Sequence, residues 1–157
     1  MANEKVLLAP HPVWEIMEGI NTFEDYAKLL PVTRLNDGVD ESIKAYYEPI
    51  RKLLEFGYFE YSFITMAFRS SFQMLELILR VYYKKHIGKP AKHQTLNQLI
   101  IWFANQNLID KKQAEQLQLL RELRNGYAHP SENTVAPLTF IKIIDDMLIL
   151  ANEFYGK

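Results

Sequence analysis

At 157 residues the chain has the size of one domain, long enough to bury most of its unfolded surface around a single core. A composition that is 48% hydrophobic and 13% aromatic excludes a disordered protein, and a net charge of −1 excludes a broadly basic nucleic-acid coat. The absence of cysteine excludes disulfides, thiolate metal sites and cysteine nucleophiles, and fits a reducing cytosol.

Helical periodicity dominates, and no segment alternates as a strand would. The stretch Met1 to Pro12 holds only the short apolar run Val6-Leu7-Leu8-Ala9, too short for the core of a signal peptide. Residues 11–30 read as one or two short helices, with Thr22 as N-cap ahead of Phe23-Glu24-Asp25. Pro31 to Gly38 is expected to be a loop. Asp40 then opens a helix to about Gly57, with Ile43, Tyr46, Tyr47, Ile50, Leu53 and Leu54 on one broad face. Pro49 lies inside it and should kink or divide it.

Tyr58 to His86 reads as the longest helix. Ile64, Phe68, Ser71, Leu75, Ile78 and Tyr82 follow the three- and four-residue spacing of a packed bundle seam. Its most apolar stretch, Phe63 to Val81, carries Arg69, Glu76 and Arg80 and so does not read as a membrane span. Ile87-Gly88-Lys89-Pro90 stops it. Thr95 caps a helix through Asn107 that carries Leu96, Leu99, Ile100, Trp102 and Phe103. Asp110 caps the next helix, whose buried face includes Ala114, Leu117, Leu120 and Leu123. After a loop over Pro130 to Ala136, the helix Pro137 to Tyr155 closes the chain. The expectation is a single all-α domain: an up-and-down helical bundle of four main helices within residues 58–156, with additional N-terminal helices in an extension over residues 1–57.

The string Arg124-Asn125-Gly126-Tyr127-Ala128-His129, just before Pro130, concentrates the chemistry of the chain. Arginine offers a permanent charge in a fork that matches phosphate oxygens, and histidine takes and returns a proton near pH 7. Six Arg and four His produce an Arg-x4-His match by chance about 0.15 times, and an adjacent Asn lowers that to roughly 0.01. On a regular helix residues five apart diverge by about 140°. Gly126 can loosen the helix, and a residue before proline is biased out of helical geometry, so the helix end can swing His129 towards Arg124.

This string, with its leading Leu123, resembles the Arg-x4–6-His motif of the HEPN superfamily (higher eukaryotes and prokaryotes nucleotide-binding), whose members are all-α bundles. The likeness covers about residues 58–156 in helix order. It implies a metal-independent endoribonuclease, acting in a homodimer whose two motifs face each other across a shared cleft. In that role the RNA's own 2′-hydroxyl attacks the neighbouring phosphate, His129 serves as general acid or base, and Arg124 stabilises the phosphorane. Asn125 orients the phosphate or the histidine, Tyr127 belongs to the supporting motif, and the products carry 2′,3′-cyclic phosphate ends. No cofactor and no metal are implied. By the same resemblance Glu76, on the long helix, is the candidate to position Arg124 or His129. Members paired with nucleotidyltransferase antitoxins often extend the motif with a Tyr two residues after the His. Ser131 stands there, which leaves a different antitoxin or regulatory protein, or none.

Each site has a plainer reading. Arg124 can simply pair with a neighbour such as Glu76, and His129 can complement a helix dipole. The stripe Arg69, Gln73, Glu76 and Arg80 can be a solvent-facing row with internal charge pairs. Lys84, Lys85, Lys89 and Lys92, with His86 and His93 among them, form the only basic cluster and could guide RNA phosphates, or merely complement a helix end. His86 and His93 lack a matching third ligand, so no metal site is expected. Asp145-Asp146 and Glu24-Asp25 read as surface charges. The leading expectation is a cytoplasmic RNA-cleaving homodimer, a toxin or defence effector with no membrane segment. The alternative is a non-catalytic dimer that binds nucleotide, RNA or a protein partner.

Overall fold

The structure, a computed structural model, describes residues 9–128 and 137–155, apart from the side chains at positions 127, 128 and 137. Every regular element in it is a helix. Two short ones, α1 (Val13–Ile16) and α2 (Phe23–Ala27), precede five longer ones. These are α3 (Glu41–Phe56), α4 (Ser62–Ile87), α5 (Leu96–Asn105), α6 (Lys111–Ala128) and α7 (Pro137–Tyr155). No described helix is long and apolar enough to cross a membrane.

The longest helix, α4, is the axis of the bundle: α3, α5, α6 and α7 all pack against it, and α5 also packs on α6. Its seam is the expected one, with Ile64, Phe68, Ser71, Leu75 and Ile78 buried and Tyr82 half-buried. Buried Ser71 keeps its hydroxyl satisfied by donating to the carbonyl of Phe68 at 2.6 Å. The Tyr82 ring stacks on Phe154 of α7 at 4.8 Å and on Phe103 of α5 at 5.5 Å, so one residue ties three helices.

The helix boundaries have local causes. Thr22 and Asp25 form a capping box on α2, and Thr95 and Gln98 form another on α5. Asp40 caps α3 by accepting from the Ser42 amide at 2.9 Å, and hydrogen bonds from Ser42 lower its pKa. Gly88 ends α4 in the left-handed region at φ 74, where its N–H reaches the carbonyl of Lys84. At Asp110 the carboxylate accepts from the Gln113 amide at 2.7 Å, while the Gln113 side chain accepts from the Asp110 amide at 3.0 Å.

Several expectations need correction. Of the two outcomes expected at Pro49, a kink or a division, the division does not occur: α3 runs unbroken through it. A proline forfeits one ladder bond, and the burial of Ile43 on one side and Ile50 and Leu54 on the other holds the helix together across that gap. The long helix starts at Ser62 rather than Tyr58. The Tyr58 carbonyl is committed elsewhere: it accepts from the Trp14 indole at 2.8 Å and from the His11 amide at 2.9 Å. There the rings of Trp14, Tyr26 and Tyr58 cluster, and the Tyr26 hydroxyl donates to the carbonyl of Leu54 at 2.5 Å. Burial raises the Tyr26 pKa well above its ordinary value. Gly57 permits this packing, because a Cβ there would come within 2.5 Å of both Ile64 and the Tyr26 hydroxyl.

The helix begun at Thr95 stops at Asn105, two residues short of the expected Asn107, which takes a positive φ of 55. Asp145 is not merely a surface charge, since it accepts from the Thr33 amide at 2.9 Å. Asn152 adds bonds to the Asn36 amide and the Arg34 carbonyl, both at 2.8 Å, and so straps the 31–36 segment along α7. The expected loop Pro130 to Ala136 lies outside the described residues.

Candidate functional site

Arg124 lies near the end of α6 and crosses to α4, where its Nη2 pairs with Glu76 Oε2 at 3.2 Å. Two one-turn steps back along α6, Leu117 is buried against the core and sets the face that α6 turns inwards. Seven residues on, Arg124 falls on that same face, two helical turns higher. Glu76 sits beside the α4 seam and is 23% exposed, while the Arg124 side chain remains 40% exposed. The guanidinium is therefore anchored on one side and open on the other. It has five N–H donors in a planar fork, so pairing with one carboxylate oxygen leaves donors for an oxyanion.

Glu76 serves a second arginine through its other oxygen. Arg80, one turn further along α4, donates to Glu76 Oε1 from Nη2 at 2.7 Å and from Nε at 3.0 Å. The same guanidinium donates to the Ala91 carbonyl and, at 3.0 Å, to the Gln94 carbonyl. Arg80 thus pins the segment between α4 and α5 to the carboxylate that holds Arg124. This role was not visible in the sequence. The i,i+4 spacing to Glu76 predicts the pair, but nothing in it predicts two loop carbonyls.

The remaining members of the motif are placed unevenly. Asn125 and Gly126 are exposed. The helix does not loosen at Gly126, as the spacing argument expects, but continues to Ala128. Tyr127 belongs to α6, but its side chain lies outside the described residues, as do His129, Pro130 and Ser131. The polar stripe on α4 divides. Glu76 and Arg80 are half-buried in the network, Gln73 accepts from the Tyr46 hydroxyl of α3 at 2.5 Å, and Arg69 is exposed.

Lys84, Lys85, Lys89 and Lys92 are all exposed around the end of α4. Lys84 and Lys85 line a pocket with Gly38, Asp40 and Tyr155, between the start of α3 and the end of α7. The Lys85 ammonium lies 5.6 Å from the Tyr155 ring centre, and the charge of Lys84 helps to lower the Asp40 pKa. Lys84 is eight residues past Glu76, about 12 Å along the axis, so the two groups sit at different levels of α4. Among the described residues no three His, Asp or Glu side chains converge as metal ligands. No family model, curated protein or solved structure matches the chain.

Proposed function

We propose that the protein is a HEPN-like endoribonuclease that cleaves RNA without a metal, in a homodimer. The observation that carries this reading is the Glu76–Arg124 pair: the motif arginine is oriented by a carboxylate on the neighbouring helix, yet its outer edge faces solvent. In the reaction the 2′-hydroxyl oxygen bonds to phosphorus and the bond from phosphorus to the 5′-oxygen breaks. The proton leaves the 2′-oxygen for a base, and another is delivered to the 5′-oxygen. Arg124 holds the charge that builds on the phosphorane oxygens, and His129 moves a proton. Two copies would supply both acid and base. The product ends are a 2′,3′-cyclic phosphate and a 5′-hydroxyl. A cytoplasmic toxin or defence effector, held by an antitoxin or another regulatory protein, is the setting in which such an activity would be used.

A second reading has its own support. Glu76 neutralises two arginines at once, as a purely structural clamp between helices would, and a dimer that binds RNA or nucleotide without cleaving it would look the same. Incubating the purified protein with mixed RNA in EDTA separates the two. Cyclic-phosphate ends that disappear in Arg124→Ala and in His129→Ala establish cleavage. Retention of RNA by a folded dimer without any cleavage establishes the second reading instead.

A further inference from the structure

The outer face of α6 carries an exposed apolar ridge. Lys112, Glu115, Leu119 and Glu122 recur along it at three- and four-residue spacing, and Leu119 is 58% exposed at its centre. A groove opens on each side of this ridge. One, of about 410 Å³, runs between α6 and α7 and is floored by Leu117, Leu120, Leu123, Ile143 and Leu150. The other, of about 420 Å³, lies against α5 and is floored by Ile100, Ile101 and Ala104. Ile101 and Ile149, at the two outer margins, are 47% and 42% exposed. Exposed apolar side chains scattered singly need no explanation, but a ridge between two apolar grooves is a contiguous patch.

The rim decides what fits there. Asp110, Asp146 and Glu153 border the first groove, and Glu115 and Glu122 border the second, against Lys112 and Lys111. Five carboxylates face two ammonium groups, and Lys111 already pairs with Glu115 at 3.9 Å. The lining residues alone therefore hold −3 in a chain whose total is −1, with Lys142 beside Asp146 and Arg121 bonded to Gln118 as the flanking cations. Partial burial raises the Asp146 pKa and neighbouring Asp145 adds to the rise, against Lys142, so this carboxylate gains from an added cation. A second copy would bring the same net-acidic rim against this one, and RNA would bring phosphates, so the excess negative charge disfavours both.

We propose that this face binds an amphipathic helix of another protein, with an apolar stripe set into the two grooves and lysine or arginine along its flanks. The first groove reaches Leu123, one residue before Arg124, so the bound helix would lie against the element that carries the motif. The inference does not depend on ribonuclease activity, and its test does not measure that activity.

Three fluorescent peptides serve as probes for anisotropy titration: a helical Leu/Lys peptide, a Leu/Glu peptide with the same apolar stripe, and a Leu/Lys peptide of the same composition scrambled out of helical register. The Leu/Lys helix is expected to bind the full-length protein and to weaken with added salt, while the other two do not bind. Leu119→Ser, at an exposed position, should weaken binding about tenfold, the loss typical of one apolar anchor. The triple variant Glu122→Gln, Asp146→Asn, Glu153→Gln should weaken it similarly and remove most of the salt dependence. Equal binding of all three peptides, no binding of the Leu/Lys helix, or unchanged binding by Leu119→Ser would overturn the proposal. So would a wild-type dimer, seen by sedimentation, that Leu119→Ser converts to a monomer, because the occupant would then be a second copy.

Discussion

The helices α6 and α7 follow one another and are nearly equal in length, 18 and 19 residues, yet they are held in opposite ways. Along α7, Phe140, Ile141, Ile144, Met147, Leu148, Leu150, Ala151, Phe154 and Tyr155 are all buried. Among the described side chains of α6 only Leu117 is buried, while Ala114, Leu120 and Leu123 reach the core with one side. What α6 lacks in apolar burial it replaces with polar ties. Gln118 donates to Asn97 of α5 at 2.7 Å, Gln113 donates to Glu153 of α7 at 2.7 Å, and Arg124 pairs with Glu76 of α4. One helix builds the core, and the other is mounted on it with the Arg124 side chain left partly exposed. Segments with few buried apolar contacts open first, and on that measure α6 is less securely held than α7.

The largest expected effect tests this contrast directly. Phe154 of α7 is buried and stacks on Tyr82 at 4.8 Å and on Phe103 at 5.8 Å. Phe154→Ala should cost about 3–5 kcal/mol in chemical denaturation, through lost transfer energy and an unfilled cavity. Leu117→Ala in α6 should cost about 2 kcal/mol, the low end for a buried leucine, because its site adjoins an open groove that can relax or admit water. Hydrogen exchange should show the α6 amides opening well before those of α7. Equal costs for the two variants, with equal protection, would sink the distinction.

A smaller stability effect with a larger functional one is expected at Glu76. Its pairs with Arg80 and Arg124 are partly exposed, and ion pairs of that kind contribute about 0–1 kcal/mol. Glu76→Gln should therefore melt close to the wild type. In the EDTA cleavage assay it should nonetheless lose at least about tenfold in rate, since one transition-state charge contact misplaced is worth about 1.4 kcal/mol or more. Unchanged cleavage in Glu76→Gln would reduce the Glu76–Arg124 pair to a structural clamp.

Much of this architecture is legible in the sequence because its causes are local. The caps at Thr22, Asp40, Thr95 and Asp110 and the stop at Gly88 are each written within a few residues. The seam of α4 follows from spacing alone. What spacing cannot carry is long-range competition for hydrogen bonds. The start of α4 depends on Trp14 and His11, more than 40 residues away, claiming the Tyr58 carbonyl. Asp145 is similarly claimed by Thr33, 112 residues distant in the chain. The burial of α6 falls short of its spacing for a related reason: Ala114, Leu120 and Leu123 are only half-buried. Leu120 and Leu123 lie at core spacing, but only tertiary packing determines that α7 leaves a groove beside them. At the candidate site, the family resemblance points to Glu76 beside Arg124, whereas no local signal points to Arg80 binding two loop carbonyls.

The smallest expected effect bears on the end of α6. Gly126 sits in a continuous helix, exposed, with a φ outside the left-handed region and no described atom within 4 Å of a Cβ built there. Nothing in the folded backbone therefore requires glycine. Gly126→Ala should stabilise the protein by about 0.5–1 kcal/mol, chiefly because the unfolded chain then has less freedom to lose. If the motif works on a rigid helix, cleavage should be unchanged or slightly improved. If His129 must swing towards Arg124, stiffening position 126 should slow cleavage even as the melting temperature rises. Opposite movement of stability and rate would show that the helix end must flex, and that the weak mounting of α6 extends to its motif. Parallel movement would show that α6 is loosely attached but internally rigid up to Ala128, and would place any flexibility the chemistry needs beyond it.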